Sequence, residues 1–397
     1  MDPATVSLGA LLPHILKRGT VSWPNFTAIQ QQLESLYGAT FRADVGKIGD
    51  KQLISVSLEV IHGQYLPGKP DTLSASLEFL DEVLNRPQVN SGGVFENEYV
   101  TQEKELLTRQ IHALINDKGQ YALHRLIETM AQGRPFGLRK LGRVEDLVKV
   151  TPESLYAYYQ TVRKSSPFVL MAVGDLDPDV IATYVSTHWN GHRSELVKIQ
   201  PYTPLNREYE VIEKQPVQQG KINIGYFTRR TYASADYPAL MMYAGILGGF
   251  AHSKLFVNVR EKESLAYYAY ARLDAALALM IIGAGIEFED YPAVKRIIGE
   301  QLEAMRQGDI DQQEMHFTEQ AFRNDILSEE DVPTQLIGRQ MEKLVLGGGL
   351  SGEALIQALE SVTVPEIQRV AEDITLDTIY FLTTDQAATG GDEAQGE

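Results

Sequence analysis

Side chains that could bind a metal or act as nucleophiles are sparse in this sequence. It contains no cysteine, which excludes disulfide scaffolds, thiolate zinc sites, iron–sulfur clusters and thiol nucleophiles. His188 and His192 lie four residues apart, but Asn190-Gly191 between them is a turn signal that interrupts any helix. His14 is a lone histidine in a largely apolar segment, where packing or capping is its ordinary role. Spacing alone therefore predicts no metal centre.

A glycine pattern near the C-terminus also fails its structural test. Gly347, Gly349 and Gly352 spell GxGxxG, the dinucleotide-binding fingerprint, which requires a preceding strand. Residues 337–346 read as a helix instead, so the sequence predicts no nucleotide site.

The composition is that of an acidic globular protein. The 397 residues carry a formal net charge of -17, which argues against nucleic acid as a partner because phosphate binding needs a basic surface. No apolar run reaches the roughly 18 residues of a membrane span. Residues 1–10 lack the basic start and long apolar stretch of a secretory signal. We therefore expect a cytoplasmic protein with no membrane partner.

The elements that would position any site alternate between helix and strand, which predicts an α+β class with mostly antiparallel sheets flanked by helices. Helical spacing predicts helices at 25–36, 73–84, 100–114, 152–162, 178–189 and 364–372. Extended stretches predict a hairpin within 43–60 and buried strands at 168–175 and 378–382. A helix followed by a strand thus occurs near 150–175 and again near 362–384, which suggests two related domains in tandem, with coincidence as the alternative.

The predicted organisation has four parts: an N-terminal domain (1–195), a linker (196–210), a C-terminal domain (211–385) and a disordered acidic tail (386–397). The linker contains a turn signal, mixed charges and prolines. The tail consists of small and acidic residues with glutamine.

Three stretches together resemble the insulinase, or pitrilysin, family of zinc peptidases. The first is residues 11–20 (LLPHILKRGT), and the third is residues 247–267, which contain LGGF, SKLF, VREK and LAY. The second comprises Phe136-Gly137 through Leu141-Gly142, Leu147, Thr151-Pro152-Glu153 and Val173-Gly174-Asp175. The resemblance covers residues 10–385 and is most specific in the third stretch. It implies two tandem homologous insulinase-type domains, one half of a clam-shell. Within the family the chain is most similar to bacterial proteins associated with the 5-aminopentanol modification of elongation factor P.

Active members of this family carry an HxxEH motif on one helix and a glutamate ligand on a second helix. Two imidazoles one helical turn apart can reach one zinc ion at about 2 Å, and the glutamate between them activates the bound water. The resemblance aligns these three positions with Ala10, His14 and Pro13. On the second helix the family has two glutamates seven positions apart, and these align with Glu103 and Gln110. We therefore expect no zinc in this chain, because Ala10, Pro13 and Gln110 vacate the site and only His14 and Glu103 are retained.

A second set of family residues is intact. Arg260 and Tyr267 lie seven positions apart, and the resemblance implies that they bind substrate backbone and stabilise the oxyanion at the zinc site of a partner subunit. Both side chains suit this role as hydrogen-bond donors; the alternative is an ordinary salt bridge and a packed ring. The resemblance also places Gly248 and Gly249 in a loop near the peptide chamber, although a helix C-cap is an equal alternative.

Two further expectations concern the sheets. In the family, edge strands bind extended peptides by backbone pairing, and we expect the strands at 222–228 and 280–286 to retain this role. Relatives also have opening strands before the zinc helix, whereas here that helix begins close to Met1. Either the start codon is misassigned, which we favour, or a partner completes the sheet.

The sequence thus predicts a non-catalytic homologue that pairs with a zinc-bearing homologue as a heterodimer and helps to position peptide substrates. It needs no cofactor of its own, since zinc is expected only in the partner. A homodimer stays open. The alternatives are an active metallopeptidase with an unrecognised metal site, and a structural subunit like the core subunits of respiratory complexes.

Overall fold

The computed structural model describes residues 1–189, 194–199, 201–204 and 209–385. Asn190 to His192 and the predicted tail at 386–397 lie outside these residues, as does part of the predicted linker. The helices are α1 (Val6–Leu16), α2 (Phe26–Ser35), α3 (Thr72–Asn85), α4 (Asn97–Asn116), α5 (Lys118–Ala131), α6 (Val144–Leu147), α7 (Pro152–Ser165), α8 (Pro178–His188), α9 (Tyr237–Ala244), α10 (Tyr291–Gln307), α11 (Gln312–Glu330), α12 (Pro333–Leu346), α13 (Gly352–Glu360) and α14 (Val364–Asp373). The strands are β1 (Thr40–Ile48), β2 (Lys51–Glu59), β3 (Tyr209–Lys214), β4 (Gly220–Phe227), β5 (Ala266–Asp274), β6 (Leu279–Ile286) and β7 (Thr375–Thr383).

The chain folds into two compact units, each assembled from three separate segments. Unit 1 comprises Met1–Leu114, Gly133–Lys198 and Pro333–Val345. Unit 2 comprises Ile115–Gln132, Ile199–Val332 and the chain from Leu346 onward. These units are defined by packing, whereas the consecutive domains at 1–195 and 211–385 stay a prediction from the sequence.

Unit 1 is built around α1 and a hairpin. Strands β1 and β2 pair antiparallel from Thr40↔Glu59 to Ile48↔Lys51, and the turn between them contains Gly49 with a φ of +55°, a conformation that favours glycine. Helix α1 contacts both strands and α7. Helix α7 begins at a capping residue, since the Thr151 hydroxyl accepts from the Ser154 backbone N–H at 3.2 Å. The predicted hairpin is confirmed.

The buried strand predicted at 168–175 was wrong. These residues form no strand, and they are half-exposed from Phe168 to Met171 and exposed from Ala172 to Asp175. Apolar residues form a strand only where a neighbour takes up their backbone hydrogen bonds, and β1–β2 is the one sheet among the described residues of unit 1. Helix α8, which follows, has no buried residue.

Unit 2 contains a five-stranded sheet in the order β3-β7-β4-β6-β5. Strands β3 and β7 are parallel, and the other neighbours are antiparallel. Ile222 and Ile224 of β4 face the main apolar core together with residues of α9, α10, α13 and α14. Gly225, on the other face of β4, contacts the thioether of Met130 on α5. Helix α5 thus covers the face of the sheet opposite the core.

Strands β4 and β6 were correctly located, but they are interior strands rather than edges. Each pairs on both sides, so their backbones have no free edge for a peptide. The edges of the sheet are β3 and β5. The α+β class, with antiparallel and mixed sheets flanked by helices, is confirmed. Among the described residues, no helix is both long enough and apolar enough to cross a membrane.

Candidate functional site

The retained residues His14 and Glu103 come together in unit 1. Glu103 lies on α4, where only 7% of its surface is exposed, and its Oε2 lies 3.5 Å from His14 Nδ1. Its Oε1 accepts hydrogen bonds from Nε and Nη2 of Arg18, both at 2.5 Å. Burial and the charge of Lys17 lower the pKa of His14, while Glu103 opposes them. His14 is therefore neutral at pH 7, and Arg18 neutralises the buried carboxylate.

The three vacated positions differ in their surroundings. Ala10 has no exposed surface, so the packed interior of unit 1 leaves it no room for a larger side chain. Pro13 lies within α1, where it has no N–H to donate to the carbonyl one turn earlier. Gln110 is exposed on α4, two turns beyond Glu103.

These residues do not fit a zinc ion. Ala10 and Pro13 have no side-chain ligand atom, Gln110 offers a neutral amide, and the Glu103 carboxylate is already bound by a guanidinium. Within the part of the chain that the structure describes, no three His, Cys, Asp or Glu side chains lie close enough to share a metal ion. We derive no metal-dependent step for this chain.

The other predicted site residues lie in unit 2, in a segment of irregular backbone. Residues 245–249 and 256–262 form π-helical turns, and Gly248 breaks the first of them. Ser264 has a φ of +56°, which is unusual for a residue other than glycine. The β5–β6 register shifts between Ala266 and Tyr268, so Tyr267 is the extra residue of a β-bulge. Such irregularities are frequent at functional sites because they aim particular side chains.

Arg260 is exposed at the end of the second π-helical turn. Its guanidinium carbon lies 4.7 Å from the centre of the Phe256 ring, which orients the planar group by a cation–π contact. Among the described residues, no carboxylate forms an ion pair with it. The N–H groups of Arg260 are thus available to a carbonyl or carboxylate from outside.

Tyr267 projects from the bulge with 55% of its surface exposed. Its hydroxyl donates to Glu287 Oε1 at 2.5 Å. This hydrogen bond and the negative charge of Glu287 raise the pKa of Tyr267, and a hydrogen bond with the Gln219 side chain acts in the opposite direction. The alternative of a salt-bridged Arg260 and a packed Tyr267 is not the arrangement seen here.

Gly248 and Gly249 are the last two residues of the first π-helical turn and have different roles. A Cβ at Gly248 would lie 2.5 Å from the backbone nitrogen of Ala271 on β5, closer than any real side chain lies. The φ of Gly248 is -164°, which any residue can adopt, so close approach explains this glycine and a left-handed C-cap does not. A Cβ at Gly249 would lie 3.4 Å from its nearest neighbour.

The sequence reading missed Arg18 and Glu287. Arg18 bonds a residue 85 positions away, so no local pattern points to it. The position of Glu287 is easier to predict, because the paired strands β5 and β6 bring Ala266 opposite Ile286, which precedes Glu287. Recognising that hairpin in the sequence would have placed Glu287 beside Tyr267.

Comparison with known proteins identifies the family. Residues 149–321 match the profile of the Peptidase M16 inactive domain. The chain is 36% identical to the "Probable inactive metalloprotease YmfF" of Bacillus subtilis over 97% of its length and 90% of that protein. A crystal structure of a conserved protein from Enterococcus faecalis superposes with a TM-score of 0.89 at 29% identity, over 98% of this chain and 92% of that one.

A more distant structure shares the fold. The crystal structure of a peptidase M16 inactive domain from Pseudomonas fluorescens has a TM-score of 0.79 at 18% identity, over 96% of this chain and 89% of that one. The match with the Bacillus protein, which is named as probably inactive, extends over nearly the whole of both chains. The chain belongs to the M16, insulinase-like family of metallopeptidase homologues.

Proposed function

We propose that this chain pairs with a zinc-bearing homologue and contributes Arg260 and Tyr267 to peptide binding in the assembly. The observation that carries the proposal is the contrast between the two sets of family residues. Ala10, Pro13 and Gln110 offer zinc no ligand and Glu103 is paired with Arg18, whereas Arg260 and Tyr267 are exposed on a backbone with irregular turns.

The chemistry of the two side chains fits an extended peptide. An unneutralised guanidinium held over Phe256 is a planar donor for a peptide carbonyl. Recognition of backbone groups tolerates many sequences, as a peptide-processing subunit requires. The metal and its activated water belong to the partner in this proposal.

The experiment mixes the purified chain with a zinc-bearing M16 homologue from the same organism and measures cleavage of a peptide library. Neither protein alone should match the mixture. Arg260→Ala should lower the rate about 10-fold or more, the scale of a lost transition-state donor, and Tyr267→Phe should also lower it because it removes a polar contact with the peptide. Arg296→Ala and Tyr65→Phe are the control variants, made at other exposed residues of the same types. They should leave the cleavage rate of the mixture unchanged.

Two results would overturn the proposal in different directions. Stoichiometric zinc in the purified chain, with peptidase activity lost on its removal, would make the chain an enzyme by itself. Full activity of the mixture with Arg260→Ala and Tyr267→Phe would favour a structural subunit. Size-exclusion chromatography of the chain alone and of the mixture separates a homodimer from the proposed heterodimer.

The pathway and location are also proposals. The resemblance to proteins associated with the 5-aminopentanol modification of elongation factor P makes that modification the first process to examine, in the cytoplasm. Mass spectrometry of elongation factor P from a strain lacking this chain would test it, and an unchanged mass would exclude this pathway.

A further inference from the structure

A carboxylate outside the predicted site controls the hydrogen bonding of Tyr267. Strand β6 ends at Ile286, opposite Ala266, so Glu287 follows directly beside the bulge. The Tyr267 hydroxyl gives its one proton to Glu287 Oε1 at 2.5 Å. A phenol has one O–H to donate, and its oxygen accepts in the remaining directions. With Glu287 ionised, Tyr267 offers an acceptor to anything else that approaches.

The side chain of Gln219 is an example of a group that can donate to the Tyr267 oxygen. Its side-chain oxygen accepts from Lys221 Nζ at 3.1 Å, which leaves its amide N–H groups to donate elsewhere. Gln219 lowers the pKa of Tyr267, which is the direction expected of a donor to the phenol oxygen. An amide N–H of a peptide has the same chemistry as this side chain.

We propose that Glu287 is a positioning residue that fixes Tyr267 as a hydrogen-bond acceptor, so that Arg260 binds a peptide carbonyl while Tyr267 binds a peptide N–H. The two side chains then recognise both polar groups of an extended backbone. In this arrangement Tyr267 orients the peptide, and the oxyanion is left to Arg260 and the partner. This role in peptide binding rests on the proposed function, whereas the bond between Tyr267 and Glu287 does not.

The acidic neighbours of Glu287 provide a matched control. Glu289 is exposed two residues further on and carries the same charge, without a hydrogen bond to Tyr267 among the described contacts. A general effect of negative charge would be removed by either substitution. A specific hydrogen bond would be removed only by substitution of Glu287.

The test places 3-fluorotyrosine at position 267 of the full chain and follows its ionisation by fluorine NMR, because fluorination moves the phenol titration to milder pH. Glu287→Ala should lower the titration midpoint, whereas Glu289→Ala should leave it near that of the parent. Equal midpoints in the parent and Glu287→Ala, or equal falls in both variants, would overturn the inference.

The functional consequence has its own readout in the mixture with the zinc-bearing homologue. Glu287→Ala frees the Tyr267 proton and removes its fixed orientation, so KM should rise about 10-fold while kcat stays the same or increases. A fall in kcat at constant KM would mean that Glu287 prepares Tyr267 as a donor, contrary to the proposal. If Arg260→Ala has no effect in that mixture, the proposed function fails, and the fluorine titration still decides whether Glu287 holds Tyr267.

Discussion

At the scale of single residues, two of the residues that the sequence aligns with the family's zinc site, His14 and Glu103, take part in a charge-balanced contact with Arg18. Arg18 and His14 meet the Glu103 carboxylate from the α1 side, and Arg18 also lies 5.5 Å from the centre of the Tyr99 ring. A buried carboxylate needs a compensating charge. Arg18 provides that charge within the chain itself.

Replacement of Arg18 by alanine should therefore destabilise unit 1. Glu103 would be left buried beside a neutral imidazole, and we expect a loss of about 3 kcal/mol, the usual result of breaking a buried pair. Arg109→Ala removes an exposed arginine of α4 and should change stability by less than about 0.5 kcal/mol. Urea denaturation of the three proteins measures both, and equal midpoints for Arg18→Ala and the parent would show that the pair contributes nothing.

The two adjacent glycines give a second residue-scale prediction. Gly248→Ala forces a methyl group against the backbone nitrogen and the Cβ of Ala271 on β5. The free energy of unfolding should therefore fall by about 1–3 kcal/mol, as for overpacking. Gly249→Ala meets its nearest atom at 3.4 Å and should be nearly neutral. Thermal unfolding of the two variants provides the measurement, and similar losses in both would argue against close approach as the reason for Gly248.

The sequence predicted this part of the site unevenly, for a physical reason. The resemblance to the family assigned Ala10, Pro13 and Gln110 to the zinc site, because each family motif lies within one helix and is visible in the local sequence. The contact of Arg18 depends on how separate elements pack, so the local pattern around it indicates no partner. The contact of Glu287 depends on the pairing of β5 with β6.

At the scale of elements, a carboxylate network attaches α5 to the edge strand β3. Glu213 of β3 accepts from the Tyr121 hydroxyl at 2.6 Å, the Tyr380 hydroxyl at 2.7 Å and Arg125 Nε at 3.0 Å. Burial alone would raise the pKa of Glu213, but these hydrogen bonds lower it to about 2. The ionised form is thus the one that the folded chain stabilises.

This network predicts a defined acid sensitivity. The pKa of Glu213 is lower in the folded chain than the ordinary glutamate value of 4.5, so its contribution to stability is present above that pH and is lost as pH falls towards 2. Glu213→Gln should cost about 1–3 kcal/mol at pH 7, and its deficit relative to the parent should shrink between those two pH values. Denaturant titrations at a series of pH values test this, and a deficit that stays constant with pH would contradict it.

The strand predicted at 168–175 failed for a reason that belongs to this scale. Its residues have the apolar composition of a buried strand, as do those of β6, which is buried throughout. Strand β6 has hydrogen-bonded neighbours on both sides, whereas residues 168–175 have none in unit 1. Composition gives the tendency to form a strand, and only a neighbouring strand can realise it.

At the scale of the whole molecule, the chain passes repeatedly between its two units. Helix α5 follows α4 directly in sequence, yet it belongs to unit 2. Its apolar face is fully enclosed, with Leu126 at 0% and Met130 at 1% exposure, and Tyr202 donates to the Met130 carbonyl at 3.3 Å. A division of the sequence into consecutive domains leaves this helix on the N-terminal side.

This arrangement predicts that a C-terminal fragment is incomplete without α5. A fragment of residues 199–385 exposes the sheet face that Leu126 and Met130 cover, and burial of such side chains is worth about 1.5–3 kcal/mol each. A synthetic peptide of residues 115–132 should bind the fragment and raise its melting temperature by about 2–4 °C for each kcal/mol recovered. The same peptide with Leu126→Glu keeps its length and helix propensity but places a charge in the apolar face, so it should not bind. A fragment equally stable with either peptide or with none would show that α5 is dispensable to unit 2, and the segmented construction of the unit would then have no energetic basis.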